Sequence, residues 1–353
     1  MNQFSSRLAI VLAILAIVID SCSKKNDVVT PPTPSAPVVI TPPADFGFKV
    51  VGYFPSYRDP VAMPDAKFKM TNVMVYAFFT VNSSGTLVLN SPSTFTAVIA
   101  KAKANNAKIF MGINGDAANF KAMAAAADGR NKFIKEVMGD IRFYNLDGVD
   151  MDWEFPSTSD GTDVTFTALM KELSDSCHRD GKYYLSAAIT AGKYAGSYRD
   201  AIKSELFNYV DWCNIMAYDD FSTSVPYKQH SDLTLAQTCL NYWLTTRGMP
   251  KAKCVLGFPA YGRPSGITQT NTVLTYSGIL AQGGSSQSDS AIVTVSAYPS
   301  PYTVYYNGQP TVKKKAMLAK QLGNGVMMWE AGQDSYDATS LLKAVCDTIG
   351  RSY

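Results

Sequence analysis

The sequence predicts an eightfold parallel β/α barrel, interrupted by one insertion after its seventh strand. Two features predict it. Eight short apolar runs alternate with amphipathic stretches from residue 49 onward, the order that gives a parallel sheet covered by helices. The body of about 305 residues has the size of such a barrel with one addition. A doubly wound open sheet, the competing arrangement, explains neither the count of eight nor the missing glycine fingerprint.

Taken in chain order, the first element is an address. Arg7 precedes twelve unbroken apolar residues, 8–19. As a helix that run is about 18 Å long, short of a ~30 Å hydrocarbon core, and it reads as the apolar part of a signal peptide over residues 1–21. Ile19-Asp20-Ser21-Cys22 follows and resembles a bacterial lipoprotein signal. That likeness implies a lipid on Cys22 and an exported protein anchored to the cell envelope, at the outer membrane or cell surface. Asp20 departs from the small neutral residues usual there, and simple secretion is the alternative. Six prolines then fall within residues 23–44. They favour an extended, solvated tether from Cys22 to residue 44, up to ~70 Å long at ~3.1 Å per residue.

The strands are expected at 49–54, 72–80, 108–113, 148–153, 183–190, 212–218, 254–259 and 326–329. Helix punctuation lies between them. Gly181 closes one amphipathic stretch after His178-Arg179-Asp180, and Gly248 with Pro250 closes another after Asn241-Tyr242-Trp243-Leu244. Residues 264–310, rich in Ser, Gly, Thr and Tyr, read as a small strand-rich insert in a catalytic body spanning 45–353.

Composition removes several function classes. Apolar residues make up 46% and charged residues 17%, against a usual charged share of roughly 25%, so the chain is not disordered. A net charge of +3 from 32 basic and 29 acidic residues, without a basic tail, argues against nucleic acid. Aromatics at 12%, with twenty Tyr, suit a carbohydrate or apolar groove. The six Cys form no C-x-x-C pair and only His178 and His230 are present, so no zinc site is expected. Buried small hydrophobes are the expected state of the cysteines beyond Cys22. Serine-hydrolase, Walker and dinucleotide motifs are absent from the sequence. No metal or organic cofactor is called for.

The informative stretch is Asp147-Gly148-Val149-Asp150-Met151-Asp152-Trp153-Glu154. Alternate side chains of a strand share a face, so Asp150, Asp152 and Glu154 point one way at ~6.6 Å intervals. Val149, Met151 and Trp153 point the other way, towards covering helices. In a barrel the acidic set faces the interior, with Glu154 at the carboxyl end where such barrels carry their chemistry. A solvated edge strand does not fit an apolar opposite face, and a straight strand cannot wrap its oxygens round a calcium ion. Burying three like charges without a role costs several kcal/mol. The stack titrates as a coupled set with some pKa values pushed upward. A carboxylic acid kept protonated near neutral pH is what a glycosidase uses to protonate a leaving oxygen.

Residues 147–154 match D-x-x-D-x-D-x-E, the signature of glycoside hydrolase family 18, the chitinase family, and Phe155-Pro156 continues it in the usual way. Val51-Gly52-Tyr53-Phe54 and Val75-Tyr76-Ala77-Phe78 resemble the family's first two strands. Met216-Ala217-Tyr218-Asp219 resembles its sixth. Residues 256–263 and 325–330 resemble its seventh and eighth. The likeness covers roughly residues 49–350.

The resemblance implies a retaining, substrate-assisted mechanism. Glu154 would protonate the glycosidic oxygen and later activate water, and the substrate's own 2-acetamido oxygen would be the nucleophile. Asp152 would orient the acetamido N–H, and Asp150 would share a proton with Asp152. Tyr218 would face the acetamido carbonyl, with Met216 beside it on the same strand face, and Asp219 would help hold the distorted sugar. Trp329 would floor the reacting sugar, and Tyr53 would bond Asp150. Asp147, of odd parity, is expected at a structural post. The implied partner is chitin or another glycan of N-acetylglucosamine, bound by a monomer.

One departure stands out. The family's third strand reads S-x-G-G followed by Trp, whereas this chain has Gly112-Ile113-Asn114-Gly115-Asp116. The family serine bonds the carboxylate matching Asp150. A water or Asn114 is expected to fill that gap and leave Asp150 less stabilised as an anion, so that Gly112→Ser moves the acid limb of the pH–rate profile. Losing the Trp at Asp116 implies weak distant glycone subsites. Three alternatives stay open: an endo-β-N-acetylglucosaminidase acting on N-glycan cores, a peptidoglycan-directed activity, and a non-catalytic glycan-binding lectin. Lectins of this family tend to lose the acid that Glu154 retains.

Overall fold

A computed structural model of the protein describes residues 40–179, 181–222, 224–264, 273–294 and 301–353. Cys22 and the proline-rich segment up to residue 39 lie outside the described residues. β1 (Lys49–Pro55) pairs with β2 (Val73–Val81), and the ladder runs on through β3 (Lys108–Asn114), β4 (Gly148–Met151) and β5 (Tyr184–Ile189). It continues through β6 (Trp212–Ile215), β7 (Cys254–Pro259) and β8 (Gly325–Trp329), which returns to β1. Every pairing in this ring is parallel, so the sheet closes as the predicted eight-stranded barrel.

Strand alternation sorts the core into two layers. Val51, Tyr53, Val73, Val75, Phe110, Trp212 and Met327 cluster inside the barrel. Their strand neighbours Val50, Phe54, Met74, Ile109, Met111 and Met328 belong to the outer layer. Helices such as Ala127–Phe143, Thr162–Cys177 and Gln309–Leu322 bury their apolar residues in that same outer layer. Each fully buried large side chain contributes about 1.5–3 kcal/mol relative to exposure.

The docked chain begins before the expected start at residue 45. The Thr41 N–H donates to the His178 carbonyl at 3.0 Å, and the Tyr184 hydroxyl donates to the Ala44 carbonyl at 2.9 Å. Phe46 then sets its ring edge-on against Tyr184 and Trp212, at 5.3 and 5.9 Å, covering the apolar inner cluster near the amino ends of β5 and β6.

Three strands are shorter than the sequence predicts: β5 loses one residue at each end, and two others stop early. β4 stops at Met151 and β6 at Ile215, against expected ends at 153 and 218. Past Met151 a single ladder bond persists, from the Asp152 N–H to the Ile113 carbonyl at 2.9 Å. Past Ile215 the chain folds into successive tight turns, with the Ala217 N–H on the Ile215 carbonyl and the Tyr218 N–H on the Met216 carbonyl. Glu154 and Tyr218 therefore stand on rim segments, beyond the reach of strict strand parity. Val149, Met151 and Trp153 do face the helical layer, where Trp153 stacks on Phe120 at 5.0 Å.

Between β7 and β8 a four-stranded antiparallel sheet takes the order Leu274–Thr275, Tyr261–Pro264, Tyr302–Tyr305, Ser290–Val293. Its first strand begins two residues after β7, so this sheet rises directly from the barrel mouth.

Candidate active site

The deepest carboxylate is Asp150, fully buried on β4. Three donors meet it: the Tyr53 hydroxyl at 2.6 Å on Oδ2, and on Oδ1 the Ser186 hydroxyl at 2.6 Å and the Asn214 amide at 3.0 Å. Burial raises its pKa and these donors oppose the rise. The expectation at Gly112 is corrected here. Gly112, Asp150 and Ser186 are register partners across β3, β4 and β5, so the missing hydroxyl comes from the strand on the opposite flank. Asn114 is engaged elsewhere. A Cβ at Gly112 would lie 2.8 Å from the Tyr76 carbonyl oxygen and 2.9 Å from the Phe78 ring. Gly112→Ser should therefore destabilise the fold by about 1–3 kcal/mol in urea titrations, as overpacking does. A variant as stable as its parent but with a moved acid limb would contradict this.

Above Asp150, Asp152 is buried. Its Oδ2 accepts from Asn114 Nδ2 at 2.9 Å, and its buried Oδ1 has no hydrogen-bond partner among the described residues. Burial raises its pKa well above the usual carboxylate range, the charges of Glu154 and Asp150 add to the rise, and Asn114 opposes it. Glu154 opens onto the cleft, yet protein crowds its carboxyl. That crowding raises its pKa first, Asp219 raises it further, and Asn114 again opposes. Asp147 sits at the other end of the strand, accepting the Ile109 N–H at 2.9 Å.

A small pocket of about 160 Å³ lies over this stack, bounded by Asp152, Glu154, Tyr218, Met216, Phe78 and Trp329. Trp329 stacks on Phe78 at 5.7 Å and meets Tyr53 edge-on at 5.5 Å. Among the described residues the Tyr218 hydroxyl has only the sulfur of Met327, at 3.9 Å, a weak acceptor. Burial and the charges of Asp152 and Glu154 raise the Tyr218 pKa far up, so the phenol keeps its proton. Asp219, at the rim, receives the Tyr261 hydroxyl at 2.7 Å and the Arg263 fork at 2.8 and 2.7 Å. Burial works against its ionisation, but His230 and Arg263 hold its carboxyl well below the usual range.

On the far side of Glu154 a groove of about 530 Å³ runs past Phe155, Lys193, Tyr194 and Tyr198. Tyr194 and Tyr198 are 64% and 55% exposed, and Tyr198 lies 5.6 Å from Phe155. Lys193 and Lys228 both reach Asp220, each at 2.5 Å.

The structure thus brings Glu154, Asp152, Asp150, Tyr218, Asp219, Trp329, Tyr53 and Met216 to one end of the barrel. Sequence reasoning missed Ser186, Phe78 and the roles of Asn114 and Arg263. Asp116 caps the helix Ala117–Ala124 by accepting the Ala118 N–H at 2.7 Å, which explains an acid where the family pattern has Trp. Among the described residues no cluster of three or more His, Cys, Asp or Glu is placed to hold a metal ion, and five cysteines are free and buried.

Comparisons with known proteins bear on the family and the fold. The profile of Glycosyl hydrolases family 18 matches residues 49–334. Probable chitinase 10 of Drosophila melanogaster is 32% identical over 188 residues, covering 46% of this chain and 8% of that protein, so the chain spans only a small part of that relative. The chitinase ChiB from the chitin utilization locus of Flavobacterium johnsoniae superimposes with a TM-score of 0.70 at 28% identity, covering 86% of this chain and 94% of that one. A class V chitinase variant from Nicotiana tobaccum in complex with NAG4 superimposes with a TM-score of 0.72 at 20% identity, covering 87% and 100%.

Proposed function

The chain belongs to glycosyl hydrolase family 18, and on that premise we propose that it hydrolyses β-1,4 linkages between N-acetylglucosamine units of chitin or chito-oligosaccharides. Configuration is retained and the substrate's own acetamido group is the nucleophile. The position of Glu154 carries this proposal. It borders both the pocket over Asp152 and Trp329 and the groove past Phe155. A sugar in the pocket and its neighbour in the groove would place their shared oxygen at this carboxyl.

In the first half-reaction Glu154 gives its proton to that oxygen while the C1–O bond breaks. The acetamido carbonyl oxygen closes on C1, forming an oxazolinium ion. Asp152 accepts the acetamido N–H through Oδ1, the oxygen left without a partner, and its charge favours the developing cation. The Tyr218 hydroxyl turns from Met327 to the acetamido oxygen. In the second half-reaction the Glu154 carboxylate takes a proton from water, which attacks C1 and reopens the ring. The complex of the tobacco chitinase with NAG4 supports the substrate class. Chitohexaose digestion by residues 40–353, which keep the docked segment, followed by mass spectrometry, tests the proposal, and an intact hexamer would overturn it.

We propose also that the protein is exported and lipid-anchored to the cell envelope through Cys22. The apolar run 8–19 followed by Cys22 supports this. Cys22→Ala should move the exported protein from the detergent-extracted membrane fraction into the soluble one; an unchanged partition would count against the lipid.

A further inference from the structure

The pair Asp152–Glu154 is held by a group that the family pattern does not supply. Asn114 is the last residue of β3, at a position where that pattern has glycine. Its amide orientation is fixed at both ends. Oδ1 accepts the Gly115 N–H at 2.5 Å, so Nδ2 is the end turned to Asp152, at 2.9 Å. A backbone N–H requires the amide oxygen and a carboxylate requires the amide nitrogen. Nδ2 serves Asp152, and the same amide favours the anion of Glu154. Asn114 is the single hydrogen-bond donor to the Asp152 side chain among the described residues. The mounting is rigid, because the Asp152 N–H itself bonds the carbonyl of Ile113, the preceding residue of β3.

We infer that Asn114 is a positioning residue of this site, clamping Asp152 beside Glu154 and countering the repulsion between the two acids. The inference rests on the proposed glycosidase function. The other ionisable groups facing the pair come from three elements: Asp150 on β4, Tyr53 on β1, and Tyr218 with Asp219 after β6. The carboxylates among them disfavour further negative charge, and the Arg263 fork is committed to Asp219. The Asn114 amide is thus the neutral counterweight that favours the anionic forms of both acids. Asp150 has no need of it, because three other donors surround its carboxylate.

Removing the amide should raise the pKa of both carboxyls. In Asn114→Leu, a same-sized apolar replacement, the acid and basic limbs of the pH profile for chitohexaose should both move to higher pH. The value of kcat should fall about ten- to a hundredfold, the size of one hydrogen bond to a charged group, with KM changing less. Asn114→Ser, which keeps a short donor and opens space for water, should lie between Leu and wild type, and serves if the Leu variant does not fold. Carboxyl ¹³C NMR titration of Asp152 and Glu154 follows the same shifts without substrate. Titrations and limbs that coincide with wild type in a folded variant would overturn the inference. A wild type that leaves chitohexaose intact would overturn the function instead, and the titrations would then decide on Asn114 alone.

Discussion

Glu154→Gln should reduce chitohexaose hydrolysis by about 10²–10⁴-fold, the contribution of a positioned general acid, while oligosaccharide binding persists. The amide has the shape of the protonated acid but cannot surrender a proton to the leaving oxygen or recover one from water, so both half-reactions fail together. Wild-type activity should decline as pH rises through the Glu154 pKa. That limb lies above the ordinary carboxylate range because crowding first, and then Asp219, disfavour the anion. Residual activity of the variant should lack it. Linkage gives a second sign. A carboxyl raised on folding contributes stability below its unfolded pKa and loses that contribution as pH rises through its folded pKa. Glu154→Gln should accordingly be more stable than wild type above that value, seen as a higher Tm at neutral pH. A variant within tenfold of wild-type kcat would overturn the assignment of the acid.

The same carboxylate run shows how far the sequence could be read. All eight barrel strands were legible because each is buried on both faces and so appears as a short, mostly apolar run between helices. Asp150, Asp152 and Glu154 were legible because acids alternating with apolar residues have no cheap structural explanation. What escaped were contacts set by closure of the barrel. Ser186 lies on the inward face of β5, between Tyr184 and Ala188, and an inward hydroxyl in a predicted strand was a usable signal. Its service to Asp150 depends, however, on the register of β4 with β5. Strand parity assigned the faces of Asp152, Trp153 and Glu154 as found, although the ladder ends past Met151 and Ile215 and loop geometry carries Glu154 and Tyr218 to the rim. The grip of Arg263 on Asp219 joins the segment after β6 to the sheet after β7, a pairing no local pattern encodes.

Asp334→Ala should lower the unfolding free energy by about 3–5 kcal/mol, the cost of breaking a buried ion pair from one side. Asp334 is 1% exposed and Lys67 2%. The Lys67 ammonium bonds Asp334 directly and the Ser340 hydroxyl at 2.7 Å. The same carboxylate accepts the N–H groups of Leu341 and Leu342 at 2.8 and 3.1 Å, at the start of the helix Leu341–Ile349. Truncation strands a buried ammonium and deprives two N–H groups of that helix's first turn of their acceptor, while the Ser340 cap on the Lys343 N–H remains. For a domain of this size the loss corresponds to a fall of roughly 5–8 °C in Tm. The double replacement Lys67→Met, Asp334→Leu should recover much of it, since a well-packed apolar pair avoids the desolvation of both charges. A single variant within 1 kcal/mol of wild type would show that the pair is not the staple it looks to be. The consequence reaches the cleft through a short path. Asp334 stands four residues after Glu330, a buried acid held by Arg58 at 2.8 and 2.6 Å, and Glu330 follows the floor residue Trp329 directly. Loosening this segment frees the floor as well as the helix, so KM for chitohexaose should rise in Asp334→Ala even where the protein remains folded.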